Sequence, residues 1–298
     1  MKRILICAAA AIVALASCSK TQVVYNDAPE EISFRAINKP MTKTTVDYTE
    51  DLGVSAYVID GDPYFENKPF TFDGSKWTGG QYWPIEDALG FVAYGPGVDC
   101  ATTVETSTTG ISATGVKSDV DFVYSKAFAD NGGTGYTRGN APVNGIPVEL
   151  AHAKSKIVIN VNVVGTNEEV TAITLKDAGA TGDCAVTFGN DPVWDPAKIV
   201  YDDFEFFSQN THYVIPGTPT DLIITYNTTS PAATGVTHSI DLSGVVMKDT
   251  GDNVVASWLS GYGYTYNVTI NSKEIVITAD VDSWTETTGA LLSRKIFL

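Results

Sequence analysis

Apolar and polar residues alternate along many segments of the chain, and this alternation predicts β-strands. Between residues 264 and 270, Tyr, Tyr, Val and Ile occupy every second position, with Thr or Asn between them. A strand points successive side chains to opposite faces, so this segment has one face for a core and one for solvent. Runs rich in β-branched and aromatic residues predict further strands at residues 32–37, 156–164, 221–226 and 274–281.

Gly, Pro, Asn and Asp separate these runs, and no segment shows a sustained helical period. Many short strands with turn signals between them are typical of β-sandwiches, so we predict an all-β fold. Residues 193–207 are predicted to hold a short helix or a turn. Two stretches rich in Thr, Ser and Gly, residues 101–114 and 129–140, are predicted to be long surface loops.

The first eighteen residues predict export and lipidation. Two basic residues precede an apolar run at residues 4–15, which is shorter than the roughly 20 residues of a membrane span. The run ends in Leu-Ala-Ser-Cys at Cys18, which matches a bacterial lipobox. We predict a signal peptide at residues 1–17, cleavage between Ser17 and Cys18, and acylation of Cys18. The alternative is an ordinary secretory signal whose cysteine is incidental.

Charge narrows the range of partners. The full sequence has a net charge of −16, and loss of the signal peptide leaves 17 basic and 35 acidic residues, a net charge of −18. A chain this acidic repels phosphate backbones, so we expect no nucleic-acid partner. No second apolar stretch approaches membrane length, and the lipid is the predicted membrane attachment.

The length of the remaining chain suggests two domains, each with a hydrophobic core. Residues 18–30 are mostly polar and are predicted to be a lipidated tether. A boundary near residues 148–155 then gives an N-terminal β-sandwich domain at residues 31–150 and a C-terminal β-sandwich domain at residues 151–298.

Candidate reactive residues are few. A disulfide between Cys100 and Cys184 would tie the two predicted domains together, and two free buried thiols are the alternative. His152, His212 and His238 lack the spacing of a metal site. We find no phosphate-binding loop and no nucleophile–base motif. The sequence therefore predicts no metal, no cofactor and no enzymatic activity.

Short motifs run through the chain in order. The first half contains Ile32-Ser-Phe-Arg-Ala36, Thr42-Lys-Thr-Thr45, Trp77, Tyr82-Trp-Pro84, Leu89-Gly-Phe-Val-Ala-Tyr-Gly-Pro96, Asp121-Phe-Val-Tyr-Ser125 and Val148-Glu-Leu-Ala-His-Ala-Lys-Ser-Lys-Ile157. The second half contains Tyr213-Val-Ile-Pro-Gly-Thr218, Trp258-Leu-Ser-Gly261, Tyr264-Thr-Tyr266 and Val281-Asp-Ser-Trp284. In order and spacing, these motifs resemble the fimbrillin family, the subunits of type V pili of Gram-negative anaerobes.

The resemblance implies a fold and a life cycle. The fold is two transthyretin-like β-sandwich domains in tandem. The life cycle is lipoprotein export, removal of an N-terminal segment by a trypsin-like protease, and polymerisation by insertion of a strand from one subunit into the groove vacated in the next. The implied partners are other fimbrial subunits and, before maturation, the outer membrane. The implied locations are the cell outer membrane and the extracellular fimbrium.

A candidate maturation site lies in the first predicted strand. Cleavage between Arg35 and Ala36 would free the segment that carries Ile32 and Phe34. Alternatively, Arg35 is a solvent-facing strand residue with no role in cleavage. Two later basic sites compete with it if the protease accepts lysine, at Lys39 and Lys43.

The candidate donor strand is the C-terminal tail, residues 291–298. Leu292, Ile296 and Leu298 are its candidate inserting side chains, and insertion would bury apolar groups worth roughly 1.5–3 kcal/mol each. Alternatively, the tail completes a sheet of its own subunit.

One aromatic group offers a different function. Trp77, Tyr82, Trp83 and Tyr94 are able to form a platform for a sugar, because aromatic faces stack on ligands. Trp83-Pro84 and the nearby Leu89-Gly-Phe91 belong to the motifs that carry the resemblance, which favours burial in the core. The predicted function is thus a fimbrial subunit that serves adhesion, and the alternative is a glycan-binding or anchor lipoprotein that keeps its lipid and does not polymerise.

Overall fold

A computed structural model describes residues 29–36, 48–165, 167–229, 231–248, 254–271, 274–283 and 292–297, with the backbone alone at residues 283 and 292–297. These residues form strands and one short 3₁₀ helix, Leu242–Gly244, so the predicted all-β class is confirmed. Within these ranges, no helix is long and apolar enough to cross a bilayer.

The strands follow one another along the whole described chain. The first eleven are β1 (Glu31–Ala36), β2 (Leu52–Val58), β3 (Pro63–Phe72), β4 (Trp77–Tyr82), β5 (Leu89–Gly95), β6 (Ala101–Ser107), β7 (Gly110–Val116), β8 (Val123–Ser125), β9 (Ile146–Val148), β10 (Leu150–His152) and β11 (Ser155–Val163). The others are β12 (Glu168–Thr187), β13 (Val193–Trp194), β14 (Val200–Glu205), β15 (Thr211–Val214), β16 (Asp221–Thr229), β17 (Ala232–Asp241), β18 (Met247–Lys248), β19 (Val254–Val255), β20 (Tyr262–Ile270), β21 (Glu274–Ser283) and β22 (Leu292–Phe297).

An eight-stranded sheet has the order β10-β8-β5-β2-β3-β4-β1-β9. Its central strands β2 and β5 are buried on both faces, which explains why they read as continuous apolar runs. Phe34 on β1 and Phe91 on β5 are 5.1 Å apart between ring centroids, although three strands separate β1 from β5 in the sheet. The sheet therefore curls over and encloses a first core around Phe34, Phe70 and Phe91.

The opposite face of β2 and β5 packs on a second sheet with the order β17-β16-β12-β7-β6, in which β13 and β14 also pair with β12. A second core lies between the two sheets, around Val92, Tyr94, Ile111 and Val186. Because Val186 belongs to β12, the second half of the sequence contributes directly to this core.

Strand β12 is 20 residues long and passes through both halves of the molecule. Residues 168–175 pair with β16, and residues 182–187 pair with β7. The domain boundary at residue 150 remains a prediction. The end of β12, which belongs to the second half of the sequence, pairs with β7 of the first half.

A third core fills the other end of the molecule. It lies between the first part of β12 with β16 and a five-stranded sheet with the order β15-β11-β20-β21-β22. On β20, the alternate residues Tyr264, Tyr266, Val268 and Ile270 are all buried, as their spacing predicted.

One local prediction was wrong, and a second was confirmed in one of its two alternatives. Residues 101–114 are not a surface loop, because they form most of the hairpin of β6 and β7. The buried side chains Val104, Ile111 and Ala113 hold this hairpin on the second core, and Thr, Ser and Glu105 occupy its exposed positions. Residues 193–207 contain the predicted turn but no helix, since β13 and β14 flank it and both pair with β12.

Candidate functional site

The first strand occupies an interior position in its sheet. β1 pairs antiparallel with β4 and parallel with β9, so that Phe34 lies opposite Trp77 on one side and Ile146 on the other. Its removal would leave a gap one strand wide between β4 and β9. A strand that reproduced both pairings would have to run in the direction of β1.

Two side chains anchor β1 in the first core. Ile32 and Phe34 are fully buried, and the Phe34 ring packs in T-shaped contacts with Phe70 and Phe91 at centroid distances of 5.1 Å. Truncation of a buried Phe to Ala costs about 3–5 kcal/mol in stability. The groove that removal of β1 would leave between β4 and β9 therefore has two apolar pockets, one for Ile32 and one for Phe34.

Polar contacts fix the beginning of β1. The backbone N–H of Trp83 donates to the carbonyl of Glu30 at 3.1 Å, and the N–H of Gly80 donates to Glu31 Oε1 at 2.7 Å. Arg138 Nε donates to Glu30 Oε2 at 3.1 Å. The backbone bond to Trp83 is available to any strand in this place, whereas the two carboxylate contacts depend on the side chains of Glu30 and Glu31.

The segment before β9 covers the other side of β1. Gly145 has a φ of +96°, and a Cβ placed there would lie 2.9 Å from the carbonyl carbon of Phe34. Only glycine fits both the backbone conformation and the close approach. Within the described strands, β9 pairs with β1 alone, so β9 depends on an occupant of the groove.

The candidate cleavage residues Arg35 and Ala36 are the last two residues of β1. Arg35 is half-buried, pairs with Pro147 of β9, and has a buried Nε atom that makes no hydrogen bond to the described residues. Lys39 and Lys43 lie outside the described residues, as do Ser17 and Cys18. Cleavage and lipidation therefore stay predictions.

The backbone of the candidate donor strand lies at the edge of the five-stranded sheet. β22 pairs antiparallel with β21, with Leu292 opposite Ala279 and Ile296 opposite Ile275. Leu298 lies outside the described residues. An edge strand has a single neighbour, so its departure breaks one ladder of hydrogen bonds and leaves the interior of the sheet intact.

Cys100 and Cys184 are both free and buried, and both belong to the second core. Cys184 pairs with Ala113 of β7, which pairs in turn with Val104 of β6. The two cysteines are therefore two strands apart across the sheet. They are also offset along the strand direction, because Cys100 precedes Val104 by four positions. Burial raises the pKa of each thiol to about 12.

The four aromatic residues of the suggested sugar platform do not share one surface. Trp77 and Tyr94 are buried in different cores, and Tyr82 is exposed. Trp83 is half-buried against Phe91 and lines a cleft of about 220 Å³ together with Glu30, Glu31 and Lys76.

A polar network connects the two halves of the sequence. Asp119 accepts hydrogen bonds from the Tyr213 N–H at 3.0 Å, from Gln209 Nε2 at 3.0 Å and from His212 Nδ1 at 2.9 Å. Buried Lys154 donates to the carbonyls of Lys117 and Ala180 at 2.8 and 3.1 Å. Burial lowers the pKa of Lys154 to about 8, against the attraction of nearby aspartates.

Among the described residues, no group of three or more His, Cys, Asp and Glu side chains could hold a metal ion. Sequence reasoning found Ile32, Phe34 and Arg35, but it missed the cover formed by Gly145 and β9. The signal available was weak, since a Pro-Val-Asn-Gly turn at residues 142–145 is ordinary loop chemistry.

Comparison with known proteins agrees with this architecture. A candidate cell adhesion protein of Bacteroides uniformis is similar, with a TM-score of 0.57, 14% identity, and coverage of 86% of this chain and 99% of that one. A fimbrial protein of Bacteroides vulgatus has a TM-score of 0.48 and 17% identity, covering 86% and 99%. A fimbrilin of Porphyromonas gingivalis has a TM-score of 0.46 and 11% identity, covering 87% and 98%.

At 14% identity, the similarity to the Bacteroides uniformis protein supports a shared fold and nothing more. No curated protein matches the chain. The family model described as fimbrillin-like matches residues 20–284, which is most of the sequence. The chain therefore belongs to the fimbrillin-like family.

Proposed function

We propose that the chain is a structural, non-enzymatic subunit of a cell-surface fimbria that serves cell adhesion. The observation that carries the proposal is the placement of β1, which lies near the start of the described chain and yet fills an interior position of its sheet. Such a strand is removable by one cut and leaves a groove with unpaired backbone groups on both sides. Family membership supports the same role.

In the proposed life cycle, the chain is exported as a lipoprotein and held in the outer membrane by acylated Cys18. A trypsin-like protease then cuts after Arg35, or after Lys39 or Lys43, and β1 leaves with Ile32 and Phe34. The energetic cost is large, because both side chains are fully buried. The empty groove then favours capture of another strand.

The proposed donor is the C-terminal tail of another subunit. Ile296 and Leu298 stand two residues apart, which is the spacing of Ile32 and Phe34, and Leu292 lies further along the same tail. A donor that matches the ladders of both β4 and β9 runs antiparallel to β4 and parallel to β9, as β1 does. Main-chain hydrogen bonds supply affinity in such strand addition, and the alternate pockets supply specificity.

Mass spectrometry of protein sheared from native cells tests the proposal through the N-terminus and the mass of the chain. We expect a terminus after Arg35, Lys39 or Lys43 and no acyl mass in the polymer. Arg35→Gln is compared with Lys39→Gln and Lys43→Gln as matched variants, and the one that blocks both trimming and polymer formation identifies the site. Triacylated Cys18 on all the material would overturn the polymerising role.

Triacylated Cys18 on all the material would favour the alternative function, an anchor or a glycan-binding lipoprotein. The observation in its favour is the cleft lined by half-buried Trp83. Burial of Trp77 removes the second aromatic face that a sugar platform would use.

A further inference from the structure

Basic residues line the groove of β1 where that strand begins. Arg138 Nε donates to Glu30 Oε2 at 3.1 Å, and Lys76 lines the same cleft as Glu30 and Glu31. The backbone N–H of Gly80 donates to Glu31 Oε1 at 2.7 Å. Arg138 lies in the segment before β9, and Lys76 directly precedes β4. The cationic groups therefore belong to the wall of the groove, and the carboxylates belong to the segment that fills it.

Departure of β1 would change the charge of this region. The two glutamates leave with the strand, whereas Arg138, Lys76 and the Gly80 N–H remain. All three are hydrogen-bond donors, and none of them accepts a hydrogen bond. The emptied groove would thus have a positively charged entrance, followed by the apolar pockets of Ile32 and Phe34.

The C-terminal tail of this chain carries the opposite charge to β1. Ile296 and Leu298 have the spacing of the two apolar pockets. In that register, Arg294 and Lys295 take the places of the two glutamates. Neither of these side chains accepts a hydrogen bond, and both repel the cations of the wall. The tail therefore matches the groove in its apolar spacing and opposes it in charge.

We propose that the groove accepts a donor strand with acidic residues in the two positions before its first apolar anchor, and that it discriminates against this chain's own tail. Such selection rests on the proposed exchange of β1 and concerns the same groove. The donor is then a strand of a different subunit, with Asp or Glu where this chain has Glu30 and Glu31. Neighbours along the fibre would differ in sequence, and a fibre of this chain alone would be disfavoured.

The apolar pockets supply most of the affinity, and the charges select the partner. The Arg138 side chain is 23% exposed and that of Glu30 is 54% exposed, so solvent screens their attraction. Replacement of two attractive charges by two repulsive ones adds penalties of the same sign at both positions. We expect about a tenfold difference in affinity between acidic and basic donors, with Arg138 as the residue that determines specificity.

Competition between peptides for the groove tests the proposal. The full chain, in detergent and with a protease recognition sequence inserted after Ala36, is cut at that sequence, and peptides then displace fluorescently labelled β1 from it. The first pair of peptides is residues 29–36 and the same peptide with Glu30→Arg and Glu31→Lys. The acidic peptide should displace β1 at about one tenth of the concentration that the basic peptide needs.

A second pair of peptides keeps the anchors of the tail. It consists of residues 291–298 and the same peptide with Arg294→Glu and Lys295→Glu. The acidic version should again displace β1 at the lower concentration, because the apolar residues are the same within the pair. Higher NaCl concentration should reduce the preference in both pairs, since salt screens exposed charges.

A variant of the wall identifies the group that selects the charge. Arg138→Gln should reduce the preference for acidic peptides. The matched control is Lys198→Gln, which removes the same charge from an exposed position between β13 and β14 and should leave the preference unchanged. Displacement of β1 by the peptide of residues 29–36 shows that each variant is folded.

Strand exchange and charge selection fail in different ways. If the peptide of residues 29–36 does not displace β1, the groove does not exchange strands, and the proposed function fails together with charge selection. If that peptide displaces β1 but acidic and basic peptides compete equally, charge selection is overturned and strand exchange stands. Equal effects of Arg138→Gln and Lys198→Gln on the preference would also overturn it.

Discussion

The geometry around His212 favours its protonated form. Nδ1 lies 2.9 Å from Asp119 Oδ2, and Nε2 lies 2.9 Å from the carbonyl oxygen of Glu205. Both partners are acceptors, so the ring satisfies both of them when it is protonated and donates from both nitrogens. Burial alone would lower the pKa of His212, but the hydrogen bonds to Asp119 and Glu205 outweigh it and raise the pKa.

The Asp119 carboxyl shows the opposite shift. Burial alone would raise its pKa, but hydrogen bonds from His212, the Tyr213 N–H and Gln209 lower it. The His212 contribution to stability is therefore complete below the pKa of an unfolded histidine, about 6.5, and is lost as pH rises through the raised folded value. The Asp119 contribution is lost as pH falls through its lowered folded value.

We predict that His212→Gln destabilises the chain most at mildly acidic pH, by about 1 kcal/mol. The figure is modest because a third of the Asp119 side chain is exposed, which lets solvent screen the pair. The measurement is the difference in the unfolding free energy of the two chains between about pH 5 and pH 9. In an Asp119→Asn background, the same substitution should lose this pH dependence, and a difference that grows with pH would contradict the argument.

At the scale of the residue, the sequence predicts which side chains are buried better than it predicts which polar side chains bond to each other. The alternation at Tyr264 and Tyr266 gave the buried face of β20 directly. The Asp119–His212 pair was not predictable, because it joins positions far apart in sequence through a residue at φ +52° that leaves the regular backbone.

At the scale of the element, β1 is held mainly by its buried face. We predict that Phe34→Ala lowers the unfolding free energy of the uncleaved chain by about 3–5 kcal/mol, since it empties the pocket between Phe70 and Phe91. Ser33→Ala, its neighbour on the other face of the strand, should cost less than about 1 kcal/mol. Chemical denaturation of the two variants measures both values, and similar losses would show that the Phe34 pocket does not hold β1.

The hairpin of β6 and β7 was not predicted because of its composition. In β6 and β7, Thr, Ser and Gly outnumber the apolar residues, which made this hairpin resemble a loop. Thr favours strands, and a few buried positions such as Val104 and Ile111 are enough when a second sheet covers them. That cover is a tertiary contact, and local composition does not reveal it.

At the scale of the whole molecule, β12 links the second and third cores in one strand. We predict a single cooperative unfolding transition, in which Val186→Ala and Ile173→Ala lower the same midpoint. Each variant empties a buried site, in the second and third core respectively, and should cost roughly 2 kcal/mol or more.

Differential scanning calorimetry measures the number of transitions and their midpoints. Ile85→Ala is the control, because Ile85 is 82% exposed and its truncation should leave the midpoint nearly unchanged. Two separate transitions, each shifted by only one of the core variants, would show that the second and third cores unfold independently of each other.

The continuity of β12 also has a mechanical consequence. The twenty residues of β12 span at most about 65 Å, because the strand is irregular around Asp177, and strand pairing continues through β14 from the part that pairs with β16 to the part that pairs with β7. A pulling force applied to one half of the subunit therefore reaches the other through covalent backbone, and its release requires the hydrogen bonds beside β12 to shear together. A fibre built from such subunits would resist bending within each subunit and would flex at the joints between them.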